Sequence, residues 1–312
     1  MIIIYDKKMK VSIIIPTYNR SIKLVNLLTA LEEQTFKEFE TIVVDDGSTD
    51  NTQSVLKNRG FSLRKLRIVH QKNQGHAVAR NQGAKKASGN LLIFFDSDVR
   101  PFPDCVERHL NHHKVKNHSI LTGRAVMDNS LFPDSDFCQY RYYLESKIWS
   151  FPSTNGLAKV TPDNYFFSTQ NLSLSRCLFN ELGKFDESLI DSVDFDLCAK
   201  AMIENVPIYY DNEVAVWHDD QGKIEDYINR QIQYHKSRRR LAKLKPEYVN
   251  IIPSQFYQGK NDVIRRFMKK VFIVNRTWFS IIDSRFYEEV IPKWIRYKIY
   301  GYLIHSTSMA KS

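Results

Sequence analysis

The chain has 312 residues, of which 43% are hydrophobic and 26% charged, with only 11 glycines and 10 prolines. That balance is globular: it excludes a disordered tail or a fibrous repeat, and the length suits two domains, or one with a sizeable extension. Lys and Arg number 45 against 35 Asp and Glu, a formal charge of +10, which favours an anionic partner such as a phosphorylated ligand, an acidic membrane face or nucleic acid. Cys105, Cys138, Cys177 and Cys198 are scattered without metal-ligand spacing and read as reduced packing residues. No apolar run reaches the roughly 18 residues of a membrane span, and the opening MIIIYDKK is too short for a signal peptide. The expectation is a cytoplasmic protein.

Short apolar runs at Val11–Ile15, Phe39–Val44, Leu66–His70 and Leu91–Phe95 read as strands. Amphipathic stretches between them, about Arg20–Gln34, a short one after Asp50, and His76–Ala87, read as helices. Asp50 and Gln53 have capping-box spacing. The runs are continuously apolar, as in parallel strands buried on both faces, so the fold class is α/β with an open, mostly parallel sheet. Further on, helices are expected over Pro103–Val115, Asp136–Ile148 and Asp194–Glu204, and strands at Ile120–Met127, Ile208–Tyr210 and Glu213–Trp217. Ser150–Tyr165 reads as a loop, and His109, His112, His113 and His118 as solvated helix surface. The composition turns basic and aromatic after a soft boundary near Gly222, giving expected regions 1–222 and 223–312.

In an open parallel sheet, ligands bind at the carboxyl ends of the strands. Here those ends carry Pro16-Thr17-Tyr18-Asn19, Asp45-Asp46-Gly47-Ser48 and Asp96-Ser97-Asp98. Carboxylates gathered on one edge repel one another unless a cation compensates them. Asp96 and Asp98 have the spacing that suits Mg2+ or Mn2+ shared with substrate phosphates.

The segments VSIIIPTYNR, ETIVVDDGSTDNT, NQGHAVARNQGAKKASGNLLIFFDSDV and NLSLSRCLFNELGKFDES resemble the family-2 glycosyltransferases of the GT-A fold, over about Lys10 to Asp219. The resemblance implies transfer of a sugar from a nucleotide-diphospho-sugar to an acceptor hydroxyl, with inversion at the anomeric carbon. It implies a donor site made by Pro16, Thr17, Tyr18, Asn19, Asp46, Arg80, Asp96 and Ser97, and an Mn2+ or Mg2+ ion on Asp98. Trp217-His218 ends a strand where many relatives carry a histidine that reaches the metal or the diphosphate, against the plainer role of a hydrogen-bonded strand-end imidazole. Gly83 is expected to let helix and sheet approach closely.

The family's base comes from a Glu-Asp pair after an F-D-E segment. Here Phe185-Asp186-Glu187 is present and the pair falls on Val193-Asp194, so Asp194 is the expected base, with Asp191 as competitor, and valine replaces the glutamate. Asp196 and Lys200 have the spacing of a helix ion pair. The acceptor is expected to be a saccharide or a lipid-linked sugar, in cell-surface polysaccharide or glycolipid synthesis. Two other readings stand beside this one: a sugar nucleotidyltransferase, which wants a glycine-rich loop where PTYNR stands, and a non-catalytic binder, supported by Val193.

The tail interleaves Lys236, Arg238, Arg239, Arg240, Lys243 and Lys245, then Arg265, Arg266, Lys269 and Lys270, with Trp278, Trp294, Tyr297, Tyr300 and Tyr302. That mixture suits peripheral contact with an anionic membrane or a plain helical cap; nucleic acid is the least favoured partner. Residues 1–8 read as an optional extension before Met9.

Overall fold

A computed structural model describes residues 9–128, 130, 135–148, 156–219, 223–253, 277–282 and 284–306. Among them the chain runs β1 (Val11–Thr17), α1 (Ser21–Glu32), β2 (Phe39–Asp45), α2 (Thr52–Asn58), β3 (Leu66–His70), α3 (His76–Lys86), β4 (Leu91–Phe95) and β5 (Val99–Pro101). There follow α4 (Cys105–Val115), β6 (Ile120–Met127), α5 (Asp136–Ile148), β7 (Leu157–Lys159), β8 (Asn171–Ser175), α6 (Arg176–Glu181), α7 (Val193–Ile203) and β9 (Ile208–His218). The last elements are α8 (Ile224–Leu244), α9 (Glu247–Ile251), α10 (Thr277–Ile282), α11 (Arg285–Val290) and α12 (Lys293–Ser306). The expected extension 1–8 and the basic residues Arg265, Arg266, Lys269 and Lys270 lie outside the described residues.

The strands form one sheet in the order β3-β2-β1-β4-β8-β6-β9-β5, with β7 on β9. β1 pairs in parallel with β2 and β4, and β2 with β3, as the apolar runs predict. The pairings of β8 with β4 and β6, and of β9 with β5 and β7, are antiparallel. β1, β2 and β4 are buried along their whole length because each has a neighbour on both sides and helices above and below. β3 is only half-buried, as an edge strand should be.

The chain divides into two compact units, Met1–Val126 with Phe151–Asp219, and Met127–Ser150 with Asp220–Ser312. The sheet core of the first includes Ile13, Ile15, Leu24, Leu28, Val43, Ile93 and Phe95. Helix α3 lies close on this sheet because Gly83 has no side chain: a Cβ there would come within 2.5 Å of Ile14 Cγ2 and 3.2 Å of Val44 Cγ2. The second unit contains α5, which belongs with the C-terminal helices. Its core includes Phe137, Tyr140, Ile228, Tyr287, Tyr300 and Leu303, and Arg296 donates from Nε and Nη2 to Asp136 at 2.7 and 2.9 Å. Among the described residues no helix is long and apolar enough to cross a membrane.

Several local expectations are corrected. His109 and His113 are buried, not solvated: β8 passes beneath α4, and both imidazoles meet Ser173 Oγ, at 2.7 and 2.8 Å. His109 Nε2 also lies 2.7 Å from Asn171 Oδ1. His118 is exposed as expected. The two short strands after Val206 are one continuous strand, β9, and the expected loop contains β7, which pairs with it. Asp50 makes no capping box; it accepts from the Thr52 N–H and hydroxyl two residues on, at 3.0 and 2.5 Å. Of the four cysteines, Cys177 is exposed and the others are buried, all free.

Candidate active site

Strand order reverses around β1: β2 and β3 lie to one side, β4 to the other. The crevice at the carboxyl ends of β1, β2 and β4 is therefore a topological switch point, the place where open α/β sheets bind ligands. Pro16 and Thr17 end β1 buried, and Tyr18 stands 45% exposed at the mouth. Asn19 takes a left-handed backbone, φ 51°, that turns its amide across to the β2 loop. Its Oδ1 accepts from Thr49 N at 2.7 Å and Asp50 N at 3.2 Å, fastening the two strand ends together.

Asp46 lies in that loop and is buried. Its carboxylate accepts from Gln71 Nε2 at 2.8 Å, Gln74 N at 2.9 Å and Gly75 N at 2.8 Å. Three of its roughly four acceptor positions are thus spent within the chain, holding the segment that opens α3. Gly47 follows with φ +76°, and a Cβ there would stand 2.8 Å from Asn73 N, so glycine is needed at this approach. Neighbouring Asp45 is fully buried; burial would raise its pKa, but donors on Ser48, His70 and Gln53 hold it below the usual range.

Helix α3 starts at His76 and carries Arg80 one turn later on the same face. Arg80 Nη2 donates to Asp96 Oδ1 at 2.5 Å, and the guanidinium lies 5.6 Å from the centre of the Phe185 ring. Arg80 is 4% exposed, yet its Nε and Nη1 have no hydrogen-bond partner in the protein. A buried cation with two idle donors is costly unless an anion completes it.

Ser97 is buried, and Asp98 follows at the rim. Strand β5 turns back along the end of β9, with Val99 opposite His218, which brings His218 Nε2 to 3.8 Å from Asp98 Oδ1. Gln170 Nε2 lies 3.1 Å from the same imidazole nitrogen. Arg20 Nη1 stands 3.8 Å from Asp98 Oδ2. Burial would raise the Asp98 pKa, but the His218 hydrogen bond and the charges of His218, Arg20 and Lys23 outweigh it and keep the carboxyl well below its usual range. Asp98 and His218 fit a shared divalent ion: one hard oxygen and one imidazole nitrogen, close enough for bonds of roughly 2 Å each. No group of three ligating side chains occurs among the described residues.

Ser192, at φ 61°, turns the chain into α7. Val193 is 3% exposed and sits in the core, so the residue that departs from the family pattern is a packing residue. Asp194, one place on, is half-buried in the first turn, and its Oδ1 accepts from Phe195 N at 2.8 Å. Asp196 points into the protein and pairs with Lys200 at 2.6 Å, the helix ion pair its spacing implies, although buried.

Burial and the Arg80 charge lower the pKa of His76, while the charges of Asp96, Asp191 and Asp194 pull it back up. In the sequence His76 reads only as a helix start, and its position one turn before Arg80 is the signal for more. Gln170 had no such signal, because antiparallel pairing of β8 brings it to His218.

The family description "Glycosyl transferase family 2" matches residues 12–181. YfnE of Bacillus subtilis (strain 168), an uncharacterized glycosyltransferase, is 41% identical over 118 residues, covering 37% of this chain and 30% of YfnE. This chain thus matches under a third of that relative's length. The mannosyltransferase PcManGT from Pyrobaculum calidifontis, solved with GDP-Man and Mn2+, has a TM-score of 0.62 at 18% identity, covering 96% of this chain and 86% of that one. S. aureus TarS 1-349, solved with UDP-GlcNAc, has a TM-score of 0.53 at 20% identity, covering 95% and 82%. At these identities the likeness is one of fold. With more than half its residues under the family description and a GT-A fold around the switch-point crevice, the chain belongs to glycosyl transferase family 2.

Proposed function

We propose that the chain is a metal-dependent inverting glycosyltransferase that moves one sugar from a nucleotide-diphospho-sugar to a hydroxyl of a saccharide or lipid-linked acceptor, in the building of cell-surface polysaccharide or glycolipid. The observation that carries this reading is Arg80: a buried guanidinium at the strand ends with two donors idle, beside Asp96 and the Asp98–His218 pair. A diphosphate bound beside this guanidinium would meet its positive charge. The solved neighbours hold GDP-Man and UDP-GlcNAc, both diphosphate sugars, and a uridine donor is the default.

Pro16, Thr17 and Tyr18 would line the nucleoside end of the site, with Asn19 and Asp46 holding its two walls in register. Asp96, tied to Arg80 and partly exposed, would accept from ribose hydroxyls. Asp98 and His218 would hold Mn2+ or Mg2+, which neutralises charge on the leaving diphosphate. Asp194 takes the proton of the acceptor hydroxyl as that oxygen attacks the anomeric carbon from the side opposite the diphosphate. The bond to the diphosphate breaks with its electron pair on the leaving group, where Arg80 donates to the growing charge. The anomeric configuration inverts once.

The test is a thermal-stability screen of sugar nucleotides with Mn2+, since a ligand that binds only the folded chain raises its midpoint. One diphosphate sugar should stabilise the chain in a metal-dependent way and turn over with acceptor. Equal response to every nucleotide, with or without metal, would refute the reading.

A further inference from the structure

We propose that the outward side of helices α10, α11 and α12 docks on an anionic lipid surface. Each of these helices has an inner side in the core of the second unit, through Phe279 and Ile282, Tyr287, and Tyr300 and Leu303. The same helices leave large apolar groups in water: Ile281 44%, Phe286 70%, Val290 56% and Trp294 62% exposed. Four such groups fall between Ile281 and Trp294, closer together along the chain than the single exposures that a globular surface carries without cause.

The charged groups among them select the occupant. Lys293 and Lys298 are exposed on α12, with their ammonium groups 5.3 Å from the Tyr297 ring centre and 4.9 Å from that of Trp294. Each ammonium thus sits over an aromatic face at the surface, so positive charge and aromatic ring are presented together. Tryptophan beside lysine, with bulky apolar neighbours, suits the headgroup region of a bilayer, and the lysines favour anionic lipid. Among the described side chains of these helices the other exposed charge is Glu289, so Lys293 and Lys298 leave a positive balance. A nucleic acid backbone would leave Phe286 and Val290 without a partner. The inference does not depend on which sugar the enzyme transfers.

The test uses the full chain in co-sedimentation with phosphatidylcholine vesicles, alone or with about one-third phosphatidylglycerol. Binding is expected with phosphatidylglycerol and should fall with salt. The double substitution Phe286→Ser with Trp294→Ser should weaken it by about tenfold or more. The pair Lys293→Glu and Lys298→Glu should abolish the dependence on phosphatidylglycerol. All four side chains are exposed, and an unchanged melting temperature would show that the variants fold. Failure of wild type to bind the anionic vesicles, or equal binding by the variants, would overturn the proposal. So would a concentration-dependent dimer that Phe286→Ser and Trp294→Ser dissociates in the absence of vesicle binding.

Discussion

Asp98 and His218 are far apart in sequence, and their side chains approach to 3.8 Å because Val99 pairs with His218 where β5 meets the end of β9. The pairing is antiparallel and at the rim of the sheet, so the carboxylate and the imidazole are delivered by backbone geometry. Gln170 approaches the same imidazole, which restrains its orientation.

This pair makes metal dependence testable. Asp98→Ala should weaken Mn2+-dependent donor binding by about 10–100-fold, and Gln170→Ala should have a milder effect in the same direction. Calorimetric titration of donor with and without Mn2+ measures both. A metal titration unchanged by Asp98→Ala would remove the residue from the site.

Asp194 separates catalysis from binding. Asp194→Asn should lower turnover by about 10²–10⁴-fold while donor affinity stays near wild type, because a base acts on the acceptor proton. Steady-state rates with equilibrium donor binding read the two effects apart. Asp191→Asn serves as the comparison and should leave turnover within a few-fold.

Arg80→Met removes the idle donors and leaves Asp96 without its partner. Donor affinity should fall by about tenfold or more, from the loss of charge-assisted hydrogen bonds. Arg80→Lys should recover only part of it, since an ammonium cannot span the same donor set. The readout is the inhibition constant of the nucleoside diphosphate product, which reports phosphate contacts without the sugar.

The buried histidines predict acid lability. Burial pushes the pKa of His109 down from 6.5 to about 4, against a hydrogen bond to Asn171, and that of His113 down from 6.5 to about 3. Below pH 6.5 the unfolded chain binds protons that the folded chain refuses, so stability falls as pH falls from about 6.5 towards 4. The slope should be about 1.4 kcal/mol per pH unit for each group. Urea midpoints across that range measure it, and His113→Gln should flatten the curve.

Gly83→Ala tests the helix-to-sheet approach. The added methyl would lie within 2.5 Å of Ile14 Cγ2, and β1 is buried along its length, so neither partner gives way easily. A loss of about 1–3 kcal/mol in unfolding free energy is expected, the usual cost of overpacking.

Much of this molecule could be read along the chain. The four apolar runs become strands with bounds within a residue or two of those expected, because a strand buried on both faces needs an unbroken apolar run. The polar tips Thr17, Asp46 and Asp96 stand at one rim because parallel strands end on the same side, a consequence of chain direction. Gly83 was legible for a similar reason: glycine inside a helix pattern asks for a close neighbour. What remained hidden depends on which strands meet across the antiparallel half of the sheet. His109 and His113 have a local pattern no different from a solvated face, and they are buried only because β8 brings Ser173 beneath them. Gln170 reaches His218, Val193 falls into the core and α5 joins the C-terminal helices by the same kind of long-range placement. Local periodicity records which side of an element is apolar; it carries no information on which distant polar groups will be carried to its edge.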